Sequence, residues 1–344
     1  MKFSWKYLAA GALTGAAVGA AVLAAKKHAP GIAGQTVLIT GGSRGLGLAL
    51  AREFGRYGCR IAIAARTAHQ VERAREILEG EGFGEVAAYV CDITDASQVQ
   101  ELVQSVETRF GGIDILVNNA GVIITGPAQD MTERDFEHAM NTMFWGPYRL
   151  IQAVLPGMRE RGAGGRIVNV SSIGGKIAVP HMLPYCCAKF ALVALSDGLR
   201  LELAKEGIQV TTVAPWLTRT GGEANAIFKG NTQSEARWFS LLAASPLVAQ
   251  SAEIAARQIV KATVAGRGEL ILSVGAFATR IRTLLPGATD LVLRLTNNLL
   301  LPSPTGDRAQ SEQGKEVLPF ERGLVRALTA DGRKAGSRLN QEPA

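Results

Sequence analysis

A chain of 344 residues, 47% apolar and 19% charged, can bury a sizeable core, which excludes a disordered protein. Its 39 glycines and four cysteines exclude collagen, a disulfide-framed secreted module and an evident zinc ribbon. The net charge of +7 raises nucleic acid as a partner, yet Lys2, Lys6, Lys26 and Lys27 carry four of those charges within the first thirty residues.

Between those lysines, Leu8 to Ala25 holds no charge and only one hydroxyl, Thr14. As a helix this run is ~27 Å long, close to the hydrocarbon thickness of a bilayer. Its apolarity is mild, because alanine and glycine dominate it. A single N-terminal hydrophobic helix is expected over residues 1–30, read as a retained membrane anchor. A cleaved signal peptide and a surface helix are the rival readings, although no A-x-A triplet closes the run. Gly11, Gly15 and Gly19 line one face, a spacing that lets membrane helices approach closely.

After Pro30 and Gly31 the pattern becomes short apolar runs alternating with helix-length segments. Strands are expected at Thr36–Thr40, Arg60–Ala64, Val86–Cys91, Ile113–Asn118, Arg166–Ser171, Gln209–Ala214 and Glu269–Ser273. Helices are expected at Gly45–Tyr57, His69–Leu78, Ala96–Phe110 and Pro184–Lys205. Near-continuous Val/Ile strands with helical crossovers predict an α/β fold: a doubly wound, seven-stranded parallel sheet of Rossmann type. That domain is expected over 31–275. An apolar helical extension (276–302) follows, with helices at Val274–Leu285 and Asp290–Leu301 divided by Pro286-Gly287. A polar, flexible tail (303–344) ends the chain.

The first strand runs into Gly41-Gly42-Ser43-Arg44-Gly45-Leu46-Gly47 and then a helix. A glycine loop at that junction lets backbone amides and the helix N-terminus approach a pyrophosphate. The second strand ends Ala64-Ala65-Arg66, without the acid that holds the ribose hydroxyls of NAD. Arg44 and Arg66 instead suit the 2′-phosphate of NADP(H).

Tyr185 is the only one of five tyrosines with a lysine, Lys189, four residues later, on the same helix face. A nearby ammonium lowers a phenol's pKa toward that of a usable general acid/base. Ser172, at the end of the fifth strand, is placed to stabilise charge developing on a substrate oxygen.

Thr40-Gly41-x-x-x-Gly45-x-Gly47, Asp92, Asn118-Asn119-Ala120-Gly121, Asn141, Ser172 and Tyr185-x-x-x-Lys189 together resemble the short-chain dehydrogenase/reductase family, over about residues 34–275. The resemblance implies a tetrad. Tyr185 is its acid/base, Ser172 orients the carbonyl, Lys189 binds the nicotinamide ribose, and Asn141 holds a relay water. It also implies that Asp92 contacts adenine, that Asn119 and its turn support the cofactor, and that Thr220 meets the nicotinamide carboxamide. Trp216 stands where the family has glycine. The stretch from Thr220 to Ala252 corresponds to the family's substrate lid, here carrying Ile227, Phe228, Trp238 and Phe239.

The resulting expectation is an NADP(H)-dependent enzyme that interconverts a carbonyl and an alcohol, chiefly reducing a small hydrophobic ketone or aldehyde. The alternatives are oxidation of a lipid-, steroid- or retinoid-like alcohol at the same site, and a non-catalytic NADP-binding scaffold or sensor. No metal and no nucleic acid is expected, and a homo-oligomer is. The expected location is membrane-associated and single-pass through residues 8–25, with the catalytic domain on the cytoplasmic side and a possible further membrane contact at 274–301. Cys186 and Cys187 read as small helix residues, and His181 as a loop histidine without catalytic duty.

Overall fold

The computed structural model describes residues 31–245, 248–318 and 330–341. Seven strands form one parallel sheet: β1 (Thr36–Thr40), β2 (Arg60–Ala65), β3 (Val86–Val90), β4 (Ile115–Asn118), β5 (Gly165–Val170), β6 (Ile208–Ala214) and β7 (Glu269–Ile271). Their order is β3-β2-β1-β4-β5-β6-β7, with every neighbouring pair parallel. Strand order reverses between β1 and β4, which opens a crevice at their carboxyl ends.

The alternation along each strand explains why the sheet is covered twice. Val37 and Ile39, Ile61 and Ile63, Ile115 and Val117 enter one apolar cluster, while Leu38, Ala62 and Leu116 enter the other. Strands buried on both faces read as unbroken apolar runs, and β1 is buried at all five positions. Each large side chain so buried contributes roughly 1.5–3 kcal/mol of transfer free energy.

The helices α1 (Gly45–Arg56), α2 (Ala68–Gly80), α3 (Ala96–Phe110), α4 (Glu133–Met140), α5 (Gly146–Arg161), α6 (Leu183–Glu202), α7 (Thr232–Ala244) and α8 (Ala252–Val264) surround the sheet or cross its carboxyl edge. Asp95 caps α3 by accepting from Ser97 and Gln98 N–H, and Gly111 ends it in the left-handed region. One departure from the α geometry matters for the site. Asn141–Trp145 is a π-helical turn between α4 and α5.

Beyond β7 lie α9 (Gly275–Leu284) and α10 (Pro286–Leu300). The two divide at Leu285, just before Pro286, which opens α10, where its missing N–H costs nothing and its fixed φ suits the first turn. No residue of α10 is buried. The expected flexible tail is partly ordered. Ser311–Gln313 pairs antiparallel with Ile227–Lys229, and α11 (Ala330–Arg338) leads to Leu339, which is fully buried in the sheet's core.

No helix among the described residues is long and apolar enough to cross a membrane. This corrects the expectation of a single-pass, membrane-associated chain with its catalytic domain on the cytoplasmic side. The segment 8–25, on which the N-terminal hydrophobic helix was expected, lies outside the described residues.

Candidate active site

Three side chains meet at the carboxyl end of β5. Ser172 lies two residues beyond the strand, and its Oγ accepts the Gly174 N–H at 3.0 Å. That contact leaves the Ser172 proton free to point into the crevice, where the hydroxyl is hydrogen-bonded to Tyr185. Lys189 follows one turn later on α6, buried, with Nζ donating to the Val170 carbonyl at 2.7 Å and lying 5.7 Å from the Tyr185 ring centroid.

The close fit of this loop to α6 depends on two glycines. A Cβ at Gly174 would stand 3.1 Å from Tyr185 Cε1; one at Gly175 would collide with Ser171 Oγ and stand 2.6 Å from the Lys189 carbonyl. Ser171 Oγ also donates to that carbonyl at 2.9 Å, tying strand and helix together. Behind them, Asn118 Nδ2 donates to Asn169 Oδ1, Asn169 Nδ2 to Ser196 Oγ, and Ser196 Oγ to the Leu192 carbonyl. Sequence reasoning missed this buried polar chain and the glycine pair. The adjacent glycines after Ser172 were the available signal.

The electrostatics differ from the expected lowered phenol. Burial pushes the Tyr185 hydroxyl up to about 12, only partly offset by the Ser172 hydrogen bond. Burial also brings the Lys189 ammonium down to about 7. Burial in low-polarity surroundings favours both neutral forms.

The fourth expected member, Asn141, stands at the start of the π-helical turn. Asn141 is exposed, whereas Met143 is fully buried, and a Cβ on Gly121 would lie 3.5 Å from Met143 Sδ and 3.9 Å from Lys189 Nζ. The π turn accounts for this, since its extra residue per turn shifts which side chain faces inward.

At the other end of the crevice the glycine loop opens α1. Gly41 and Gly45 have positive φ (63° and 56°), and a Cβ at Gly47 would run into the Gly41 carbonyl. The first turn of α1 carries no acidic residue, which suits an anion at its N-terminus. Asn119 supports this loop: its Nδ2 donates to the Thr40 and Gly41 carbonyls, while its N–H and that of Ala120 reach Thr40 Oγ1.

Asp92 Oδ1 accepts from both the N–H and the hydroxyl of Thr94, so one carboxylate oxygen shapes the β3 turn. Arg44 Nη1 donates to Gln70 and Asn225, and Ser43 and Gly45 are buried. Leu46 is half-buried and packs against the core. Arg66 is exposed at the end of β2. Burial, and next the Arg66 charge, hold the His138 imidazole below its usual range. Thr220 Oγ1 accepts the Gly222 N–H, and its side chain lies against Gly45. Trp216 packs toward Gly275 at the start of α9, filling a gap beside β7.

Over the site, α7 brings Trp238 and Phe239 into an apolar cluster with Met182, Cys186 and Tyr185. A buried carboxylate pins it. Glu235 meets His181 Nδ1 at 2.6 Å and accepts from Trp238 Nε1 at 2.7 Å, so His181 holds this helix rather than lying idle in its loop.

The family model "short chain dehydrogenase" matches residues 35–228. A "Dehydrogenase/reductase SDR family protein 7-like" of Anopheles gambiae is 38% identical over 206 residues, 59% of this chain and 65% of the relative, just under two thirds of its length. A "Tropinone reductase homolog" of Datura stramonium is 36% identical over 188 residues, 54% of this chain and 69% of the relative. Among solved structures, L-sorbose reductase from Gluconobacter frateurii, complexed with NADPH and L-sorbose, superposes with a TM-score of 0.63 at 29% identity. It covers 71% of this chain and 96% of that one. On the family match, the sheet order and the site geometry together, the chain belongs to the short-chain dehydrogenase family of oxidoreductases that act on alcohol and carbonyl groups.

Proposed function

We propose that the chain is an NADP(H)-dependent oxidoreductase that reduces a hydrophobic ketone or aldehyde to its alcohol. The observation that carries this reading is the hydrogen-bonded Ser172–Tyr185 hydroxyl pair with Lys189 buried one turn away, at the crevice that the glycine loop also faces. The donor set fits the cofactor. Gly41, Ser43, Gly45, Leu46 and Gly47 would hold the pyrophosphate, Arg44 and Arg66 the 2′-phosphate, Asp92 the adenine, and Asn119, Lys189 and Thr220 the nicotinamide half. The absence of an acid among Ala64, Ala65 and Arg66 favours NADP(H) over NAD.

The bound dinucleotide supplies a hydride to the carbonyl carbon. Everything else falls to the chain. Tyr185, kept protonated at neutral pH by its surroundings, donates the proton that the carbonyl oxygen takes up. Ser172 Oγ accepts the Gly174 N–H with one of its two lone pairs, and its single proton would turn to the same substrate oxygen. In its ammonium form, which a value of about 7 leaves partly populated at neutral pH, Lys189 would offset the charge left on the neighbouring phenol. The apolar cluster of Met182, Cys186, Phe228 and Phe239 against which Tyr185 packs supports a hydrophobic substrate.

The test is NADPH consumption, with NADH in parallel, against aliphatic, aromatic, steroidal and long-chain carbonyl compounds. Turnover with NADPH on an apolar member is expected. Turnover with NADH alone, or only on polar sugars, would replace the reading.

A further inference from the structure

The last described residues lie across the glycine loop that the proposed function assigns to the cofactor. Gly45, the first residue of α1, donates its N–H to the Leu339 carbonyl at 2.9 Å. Asn340, held in the left-handed region at φ 57°, donates from one amide nitrogen to the carbonyls of Ser43 (2.9 Å) and Gln70 (3.0 Å). Gln341 accepts from Asn225, which in turn holds Arg44. A Cβ at Gly45 would lie 3.2 Å from Gln341 Nε2, so this side chain occupies the space in front of the loop.

The direction of these hydrogen bonds is informative. An anion binds a helix N-terminus by accepting from its free N–H groups. The Leu339 carbonyl does the same at Gly45, presenting the negative end of a peptide dipole where a phosphate oxygen would accept. One N–H cannot serve both fully, and two acceptor oxygens at that spot repel each other. Meanwhile the Asn340 amide is taken up by the Ser43 carbonyl of the loop and the Gln70 carbonyl of α2, so it offers no donor to a phosphate. Leu339 anchors the segment by its burial in the core.

We infer that residues 336–341 form an intramolecular strap that competes with the dinucleotide's phosphates for the glycine loop and so sets the enzyme's cofactor affinity. The inference rests on the proposed cofactor site. It makes cofactor binding an exchange: the phosphates take the Gly45 N–H and the strap's last residues leave it. Strap release also frees Asn225 from Gln341 and lets Arg44 turn toward a ligand.

The full-length chain is tested by hydrogen–deuterium exchange with and without saturating NADPH or NADH, following peptides over 41–47 and 332–341. Slower exchange in the loop together with faster exchange in the strap is expected. The Asn340→Ala chain, which loses the side-chain bonds to Ser43 in the loop and to Gln70 in α2, is expected to bind NADPH at least about fivefold tighter by fluorescence titration. A loop protected by NADPH with a strap that is unchanged or more protected overturns the competition while leaving the cofactor site standing. Weaker NADPH binding by Asn340→Ala overturns it too, making the strap a wall of the site. If neither cofactor protects the loop in either chain, the cofactor reading fails and the strap proposal falls with it.

Discussion

The catalytic end and the nucleotide end of the crevice sit on the same carboxyl edge of one sheet, yet they are held in different ways. At the catalytic end, Ser172, Tyr185 and Lys189 come from one strand exit and the helix that follows it. Their support is backbone contact through Gly174 and Gly175. At the nucleotide end, the loop between β1 and α1 is bonded by a residue 297 positions away in the chain, through Asn340. The first arrangement is local and close-packed, so it has little freedom to rearrange. The second relies on a few hydrogen bonds from a terminal segment, which can be exchanged for a ligand. Chemistry that needs fixed reacting atoms is placed where the fold is stiff, and binding that must be reversible where it is not.

The largest expected effect lies at the stiff end. Tyr185→Phe keeps the ring against Gly174 and removes only the proton donor, so NADPH consumption should fall by about 10²–10⁴-fold with the melting temperature little changed. Undiminished turnover would remove Tyr185 from the mechanism. Next comes the glycine pair. In Gly174→Ala the added methyl meets the Tyr185 ring at 3.1 Å and displaces it, which should lower kcat by up to about 10²-fold. In Gly175→Ala the obstruction is backbone and the Ser171 hydroxyl, so the cost should appear as stability, about 1–3 kcal/mol in denaturant unfolding. If both variants behave like wild type, the end taken as stiff is compliant.

How far the two ends could be read from the sequence follows the same division. The strands were legible because two-faced burial leaves unbroken apolar runs, and β1 through β7 fall within two residues of expectation at each end. The Ser172/Tyr185/Lys189 group was legible because its spacing is local. The π turn that leaves Asn141 exposed and buries Met143 was not legible, because periodicity alone carries no sign of its extra residue. The packing of 330–341 was invisible because it depends on Leu339 finding a core built almost three hundred residues earlier. The lowered lysine and raised tyrosine also needed the fold, since both shifts come from burial.

Burial of Lys189 gives a pH test of the stiff end. Its unfolded value is 10.5 and its folded value about 7, so between these the unfolded chain holds a proton that the folded one has lost. Stability should therefore rise with pH from about 7 to 10.5, with the full penalty present below about 7. Tyr185 acts in the opposite sense only above its usual value of 10.0, where the unfolded chain ionises first and stability falls. Chemical unfolding of Lys189→Met across that range should lose the rise between pH 7 and 10. An unchanged slope would mean that the ammonium is solvated.

The smallest effect belongs to the exchangeable end. Arg66 is exposed at the tip of β2, so water and salt screen whatever it does for a phosphate. Such a contact is worth about 0.5 kcal/mol, and Arg66→Ala should raise the NADPH KM by roughly twofold while leaving the NADH KM and kcat unchanged. The loss should shrink as salt is added, which separates a charge contact from a packing defect. It should also be smaller than the gain from Asn340→Ala measured under the same conditions, because the strap bonds the loop itself while Arg66 acts at its rim. If Arg66→Ala weakens NADH as much as NADPH, its guanidinium shapes the loop and does not read the 2′-phosphate, and the choice of cofactor then rests with Arg44.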